Sequence, residues 1–341
     1  DSALVSALAQ ENSQKKINTF TIGFDDPRFD ESKRAAQFAS ILGTNHSEVI
    51  CSIDQIRELI PTLIETYDEP FADSSALPSL LLNSVTKQHA TVAISGDGGD
   101  ESFFGYNFFD TVSKYKRFIE LPGMVKSVGR LLTKGISISS KMYPLKRAFN
   151  YRDFDSFLAE LLTGDGKLQS NRNLTYLNGY TDYLQLSQND LQKMADLTIK
   201  FWLENDSNVK VDRASMASSV EVRSPFLDYR LIEWARNIPI EYRMNTAERK
   251  VILKDILTEY IPKKVFDQPT QGFGIPINDW IRNELRQECE HFLNEEFLES
   301  LPNFNRSNFK IMKEQHFANK KNFGPYLWRM LVLAQWMDNA K

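Results

Sequence analysis

Cysteine is scarce in this chain: only Cys51 and Cys289 occur among 341 residues. They lie far apart and in no metal-ligand spacing, which excludes a disulfide framework or a zinc-finger type of site and leaves two buried apolar thiols. Histidine is almost as rare. His46, His89, His291 and His316 show no HxxxH pairing, so they read as surface or core residues rather than ligands or bases. Long apolar runs are missing too; stretches such as Met330-Leu-Val-Leu-Ala334 are far too short to cross a bilayer, and no signal peptide opens the chain. The expectation is a cytoplasmic protein with no membrane partner. Nor is there an excess of positive charge, since the formal net charge is −4, and this argues against nucleic acid as a partner. The local clusters Lys114-Tyr-Lys-Arg117 and Lys263-Lys264 read as solvated helix ends.

What is present is enough for a folded enzyme. With 42% apolar and 25% charged residues the chain can bury a full core, as one large domain or two, and global disorder is excluded. The most informative stretch is Ser95-Gly-Asp-Gly-Gly-Asp-Glu101, which follows the apolar run Ala90-Thr-Val-Ala-Ile94. A buried parallel strand ends there, and ligands of open α/β sheets bind outside the carboxyl ends of strands. Glycine lets backbone N–H groups approach a phosphate, while Asp97, Asp100 and Glu101 are suited to Mg²⁺ ligation or to base catalysis. The loop also reads as a tight glycine turn with Asp100 as a helix N-cap. Three acids together favour a site over a turn.

The first third alternates helix and strand. The patterns predict helix 2–11, strand 18–24, helix 31–42, strand 46–51, helices 53–67 and 79–87, and strand 90–94, with Asp30 as an N-cap and Gly43 as a helix stop. This is an α/β protein built on a doubly wound parallel sheet. Beyond Gly105 strand signals fade, and segments 190–203, 230–237, 249–260 and 326–337 carry helical periodicity. The stretch 163–177, rich in Gly, Ser, Asn and Thr, reads as a loop. We find neither an internal repeat nor a low-complexity tract.

Several segments, taken together and in order, resemble the synthetase domain of the glutamine-hydrolysing asparagine synthetase family. Asp1-Ser2 is similar to the last two positions of its Ser-Gly-Gly-x-Asp-Ser pyrophosphate loop, Thr19-Phe-Thr-Ile-Gly-Phe24 to its second strand, and Asp68-Glu-Pro-Phe71 with Asp73-Ser-Ser75 and Pro78 to its Asp-Glu-Pro segment. Ser95 to Glu101 matches its acidic loop. The most specific stretch is Val211-Asp-Arg-Ala-Ser-Met-Ala-Ser-Ser-Val-Glu-Val-Arg-Ser-Pro-Phe-Leu-Asp228, and Gln271-Gly-Phe-Gly-Ile-Pro276 closes the set. The resemblance covers nearly the whole chain. It implies a PP-loop type of fold, with residues 1–105 as the parallel nucleotide-binding part and 106–341 as a mostly helical part. The Ser-Gly-Gly of the loop and the N-terminal glutaminase domain would lie outside the chain, and a chain that starts within that loop is expected to bind ATP poorly.

The same resemblance implies ATP and Mg²⁺ as cofactors and a reaction in two steps. A carboxylate, aspartate first among candidates, is adenylated with release of pyrophosphate and then amidated with ammonia derived from glutamine. Asp1 and Asp100 would hold the metal. Ser2, Ile22, Gly23, Ser95, Gly96 and Gly98 would bind nucleotide and pyrophosphate. Asp97 would be the catalytic base. Relatives that close β-lactams carry tyrosine there, so the carboxylate favours intermolecular amidation. Asp68, Glu69, Arg213, Glu221 and Arg223 are substrate candidates, with structural ion pairing an equal reading for all five. Within the same stretch Met216, Val220, Phe226 and Leu227 read as core, and Asp212 or Ser215 as a cap. One departure stands out: where the family has Arg-Pro-Lys this chain has Gln268-Pro-Thr270. Two positive charges are lost, and Lys250, Lys263, Lys264 and Arg249 are the nearby cations that could substitute; Thr270→Lys is expected to raise turnover if the missing charge is limiting. Two further readings stay open, an amidotransferase acting on a sugar acid or peptide and a degenerate nucleotide-binding homologue. Homodimerisation is open as well.

Overall fold

The computed structural model describes residues 1–136, 142–151, 154, 157–158, 187, 189–267 and 274–340. Segment 163–177 and Gln268-Pro-Thr270 lie outside the described residues. The chain divides into two compact units. One gathers Ser2–Ser95, Val209–Arg223 and Leu257–Lys341; the other gathers Asp1, Gly96–Asn208 and Ser224–Ile256.

In the larger unit, helix α1 (Ser2–Glu11) leads to strand β1 (Asn18–Phe24), α2 (Ser32–Leu42), β2 (Asn45–Cys51), α3 (Ile53–Tyr67), α4 (Ala76–Thr86) and β3 (Val92–Ile94). β1 and β2 run parallel, Asn18 opposite Asn45 through to Phe24 opposite Cys51. Local chemistry sets most of these ends. Gly43 takes the left-handed conformation that stops α2, with φ +73°, and Ser52 starts α3 through a reciprocal capping box with Gln55. Asp30 is not the N-cap of α2. Glu31 holds that position, and the Asp30 carboxylate reaches past it to the Ser32 N–H at 3.0 Å. The fourth helix starts three residues earlier than its apolar pattern suggests. Asp73 organises the preceding turn by accepting from the Ser75 N–H at 2.9 Å and the Ser75 hydroxyl at 2.8 Å, and Pro78 is tolerated within the first turn.

β3 pairs in parallel with β4 (Glu221–Arg223), Val92 opposite Glu221 and Ile94 opposite Arg223. The fold is therefore mixed α/β with parallel strands. Among the described residues these strands form two ribbons of two strands each, not one continuous ladder. Apolar residues of β1, α3, α4 and the C-terminal helices bury one core, including Ile56, Leu63, Leu77, Phe309, Trp328 and Leu331, and both cysteines sink into it. Burial pushes the Cys51 and Cys289 thiols up to about 12, so both stay protonated and inert.

The other unit is helical. A short helix α5 (Gly99–Ser102) follows the acidic loop, then come helices over Asn107–Ile119, Gly123–Thr133 and Tyr143–Ala148. Asp190–Leu197 is α-helical, but Thr198–Ser207 widens into a π-helix, a form that periodicity in the sequence does not distinguish from α. Phe104, Phe109, Val112, Ile119, Leu158 and Met194 form this unit's core. Within it α5 packs against Asp190–Leu197, the π-helix and the helix Tyr229–Asn237. That packing carries the acidic loop's first turn on a rigid support.

Candidate active site

The unit that contains α5 gathers the charged groups. Gly98 adopts φ +89°, a left-handed conformation at the N-cap of α5 that a side chain would strain, and a Cβ there would come within 2.5 Å of the Leu227 side chain. The turn therefore owes its shape to Gly98, and Asp100 lies inside the first helical turn rather than capping it. Gly99 brings the backbone under the Asp1 carboxylate; an added Cβ would lie 2.6 Å from its carboxyl carbon. Asp1 and Asp100 thus converge from positions 99 residues apart in the sequence.

Lys250 lies between them. Its ammonium bonds Asp1 Oδ2 and reaches Asp100 Oδ1 at 2.6 Å. The tight loop before it explains the approach. Asn245 accepts from the Ala247 N–H at 2.8 Å and the Glu248 N–H at 2.9 Å in an Asx turn, Met244 and Arg249 bridge as antiparallel partners, and Lys250 itself sits at φ +55°. Gly105 completes the fit, because a Cβ there would meet Asp100 Oδ1 at 1.8 Å and Lys250 Cε at 2.1 Å. Arg249 donates to the Gly105 carbonyl and pairs with Asp110 at 3.4 Å.

Two carboxylates of this kind fit Mg²⁺. Asp1 Oδ1 is buried with no hydrogen-bond partner, an orphaned acceptor facing a site already rich in carboxylate. Among the described residues no group of three or more acidic, histidine or cysteine side chains is arranged to hold a metal. A pair suffices for Mg²⁺, which keeps several waters and takes its remaining oxygens from substrate phosphates.

Asp97 stands at the mouth of the same loop, half-buried, and its main-chain carbonyl accepts from the Ser224 hydroxyl. Its carboxylate makes no hydrogen bond with the described residues. Glu101, by contrast, is buried and accepts from the Tyr106 hydroxyl at 2.6 Å. Burial raises its carboxyl to about 6, the Tyr106 hydrogen bond opposing and the charges of Asp100 and Asp97 adding to the rise. A group whose folded pKa lies above its unfolded value of 4.5 binds more protons when folded, so stability falls as pH rises between those values. The Glu101→Gln variant keeps an acceptor for Tyr106 and loses the titration. Its stability relative to the parent chain is expected to improve by about 2 kcal/mol between pH 4 and pH 7, measured by urea unfolding; a flat difference across that range refutes the assignment.

The larger unit holds the remaining candidates. Ser2 is exposed at the first residue of α1, Ile22 is buried in β1, Gly23 packs so closely that a Cβ would lie 2.8 Å from Ile50, and Ser95 donates its backbone N–H to the Arg223 carbonyl at 2.9 Å. Gly96 belongs with Asp97 and Gly98 in the α5 unit. Asp68 and Arg213 are brought together at 3.0 Å, as are Glu221 and Arg223 at 2.8 Å, in two separate exposed pairs. Glu69 is exposed. In the family-like stretch Val220 and Phe226 are buried as expected, but Met216 is 56% exposed, because the helix Asn208–Ala217 turns Ala214 and Ser215 inward instead. Asp212 and Ser215 lie inside that helix, not at its start. A pair the motif reading overlooked is Asp73 with Lys210 at 2.8 Å. Burial pushes the Asp73 carboxyl up, yet Lys210 and Ser75 outweigh it and hold the group below the usual range.

Lys263 and Lys264 are exposed at a short helix, leaving Lys250 as the cation held by the acid pair. No helix among the described residues is long and apolar enough to cross a membrane.

The asparagine synthase family model matches residues 1–338. A Bacillus subtilis protein, asparagine synthetase [glutamine-hydrolyzing] 1, is 27% identical over 98% of this chain and 54% of its own length. A putative asparagine synthetase [glutamine-hydrolyzing] of Mycobacterium bovis is 26% identical over 98% of the chain and 52% of its own length. The amidase chyE of Penicillium rubens is 22% identical over 95% of the chain and 53% of its own length. The chain spans about half the length of these relatives. By the match across nearly all of its residues, the chain belongs to the asparagine synthase family.

Proposed function

We propose that this chain is the ligase part of a glutamine-dependent amide-forming enzyme. It takes ATP and a small carboxylate, with aspartate the first candidate, forms the acyl-adenylate with release of pyrophosphate, and then transfers ammonia to give the amide and AMP. The observation that carries the reading is the convergence of Asp1 and Asp100 on Lys250 beside the Gly98-Gly99 turn. A glutaminase part that would supply ammonia would correspond to the half of the relatives' length that this chain does not match, and a cytoplasmic location goes with such chemistry. The two parallel ribbons fit pieces of a doubly wound sheet of PP-loop type, residues 1–105 forming its nucleotide-binding part and 106–341 the mostly helical part.

Each residue then has a task. Asp1 and Asp100 would hold Mg²⁺, which when bound supplies stabilisation of the charge that builds on the departing pyrophosphate. Lys250, on a strained and well-braced loop, adds a fixed positive charge at the same place and keeps the two acids from repelling one another. Ser2, Ile22, Gly23, Ser95, Gly96 and Gly98 offer backbone and hydroxyl groups to the nucleotide. Ammonia must lose a proton as its nitrogen bonds the acyl carbon, and the Asp97 carboxylate, without a hydrogen-bond partner among the described residues, is the acceptor. Asp68, Glu69, Arg213, Glu221 and Arg223 would contact the substrate, Glu69 from an exposed position and the other four through charges now satisfied in two exposed pairs, which cost little to open.

The test is pyrophosphate release by the full-length protein with ATP, Mg²⁺ and ammonia across a panel of carboxylates headed by aspartate. Release with aspartate and formation of asparagine establishes the reading, and release with a sugar acid or peptide carboxylate instead reassigns the substrate. ATP binding with no release on any acid overturns it in favour of a non-catalytic homologue, the outcome that Thr270 in place of the family lysine would explain.

A further inference from the structure

Beside α5, the same unit holds a cleft of about 410 Å³ that is lined in part by Ser102. Its walls come from the helix Asp190–Leu197, the π-helix and the helix Tyr229–Asn237, all packed on α5, and from the buried side chain of Arg243. The size suits a small molecule. The lining has two characters. Ala195, Ile199 and Ile232 form an apolar side, while Arg236, Lys200 and Arg243 bring charge.

The charges do not balance. Arg236 is held by Asp196 in a two-pronged pair at 3.0 and 3.1 Å, and Lys200 is held by Glu204 at 2.7 Å. Arg243, only 2% exposed, has no carboxylate in contact among the described residues. Its Nη1 donates to Gln192 Oε1 at 2.8 Å and, more weakly, to the Ser102 carbonyl at 3.5 Å, and Gln192 in turn donates to the already occupied Asp196 at 2.7 Å. The guanidinium lies 4.2 Å from the centre of the Phe104 ring, and its Nε–H is buried without a partner. Among the described lining residues three cations thus face two anions, and Arg243 carries a donor that no described residue meets. A buried, unpaired charge costs several kcal/mol as a rule, so a site that retains one commonly has a counter-charge to receive. Burial draws the Arg243 pKa down to about 10, which still leaves the group charged at neutral pH.

We propose that this cavity is a second ligand site, taking a small organic monoanion whose acid head bonds Arg243 and whose short apolar body lies against Ile199 and Ile232. A planar guanidinium whose Nε–H lacks an acceptor recognises carboxylate or phosphate oxygens, and the apolar wall selects against a bare inorganic ion. This inference is independent of the chemistry proposed for Asp97 and Asp100.

Calorimetric titration of the full chain with sodium butyrate, sodium benzoate and inorganic phosphate, against sodium chloride at equal ionic strength, tests it. Butyrate or benzoate is expected to bind at one site per chain and phosphate at least tenfold more weakly. Ile232→Trp, which adds bulk to the apolar wall and leaves Arg243 itself unchanged, should abolish binding while leaving the melting temperature in chloride within about 3 °C of the parent; Arg243→Lys, which keeps the charge and loses the fork, should weaken it at least tenfold. Asp100→Asn should leave it intact, which separates this site from the acid pair. Equal affinity in the Ile232→Trp variant, loss of binding in Asp100→Asn alone, or no heat with any of the organic acids overturns the proposal. Phosphate binding as tightly as butyrate overturns the monoanion with an apolar body.

Discussion

Asparagine in place of Asp97 is expected to stop amide formation while pyrophosphate release continues. The substitution keeps the size of the side chain and the hydrogen bond from the Ser224 hydroxyl, which goes to the main-chain carbonyl and not to the carboxylate. The loop should therefore hold its shape, with Gly98 still turning it and Gly99 and Asp100 still in α5. What disappears is the acceptor for the proton that ammonia must shed. General base catalysis is worth about 10² to 10⁴ in rate, so the ammonia-dependent step should slow by at least about 100-fold. Adenylation uses other groups and should change by less than about fivefold. The readout is paired, pyrophosphate and amide from the same reaction with ammonia supplied directly. Equal loss of both products would place Asp97 in nucleotide binding, and unchanged amide yield would remove it from the mechanism.

Such a separation can be foreseen because the acidic loop is local. Three acids and three glycines within seven residues announce a site, and the shape of the turn depends on Gly98, whose φ only glycine adopts freely. The same holds for elements fixed by their own ends. The Ser52–Gln55 capping box and Gly43 put α3 and α2 close to where their patterns end, and β1 spans the seven residues that alternation marks. Legibility fails where geometry is non-local. β4 is three residues long, too short for a period of two to show, and it exists because Glu221–Arg223 finds the edge of β3 more than 120 residues earlier. The π-helix over Thr198–Ser207 carries the same apolar spacing as the α-helix before it. Lys250 is one of four cations the sequence offers in place of the missing family lysine, and only folding shows that it is the one braced against Asp1 and Asp100. Arg243 gives no sign at all. An isolated arginine in the connection between two helical segments looks solvent-exposed until its burial and its lack of a carboxylate among the described residues are seen.

The acid pair supplies the second large effect. Asp100→Asn removes one of the two carboxylates expected to hold Mg²⁺ and leaves Lys250 with Asp1 alone. Two opposing consequences follow. The pair Lys250–Asp1 tightens, which favours the folded chain slightly, whereas the site loses the negative charge that a divalent cation needs. Adenylation should therefore fall by at least about 100-fold, the scale of losing one group that stabilises a developing charge, with stability changed by less than about 1 kcal/mol. Raising Mg²⁺ should recover part of the rate in this variant and little in the parent. Gly105→Ala tests the same arrangement without altering any charge. Its methyl group would stand 1.8 Å from Asp100 Oδ1 and 2.1 Å from Lys250 Cε, so one of the two must move. If the acid pair and Lys250 act as one unit, this uncharged substitution should lower pyrophosphate release by a factor comparable to Asp100→Asn, and combining the two should cost far less than the product of the separate losses. Independent, multiplying effects would mean that Asp100 and Lys250 serve the reaction separately.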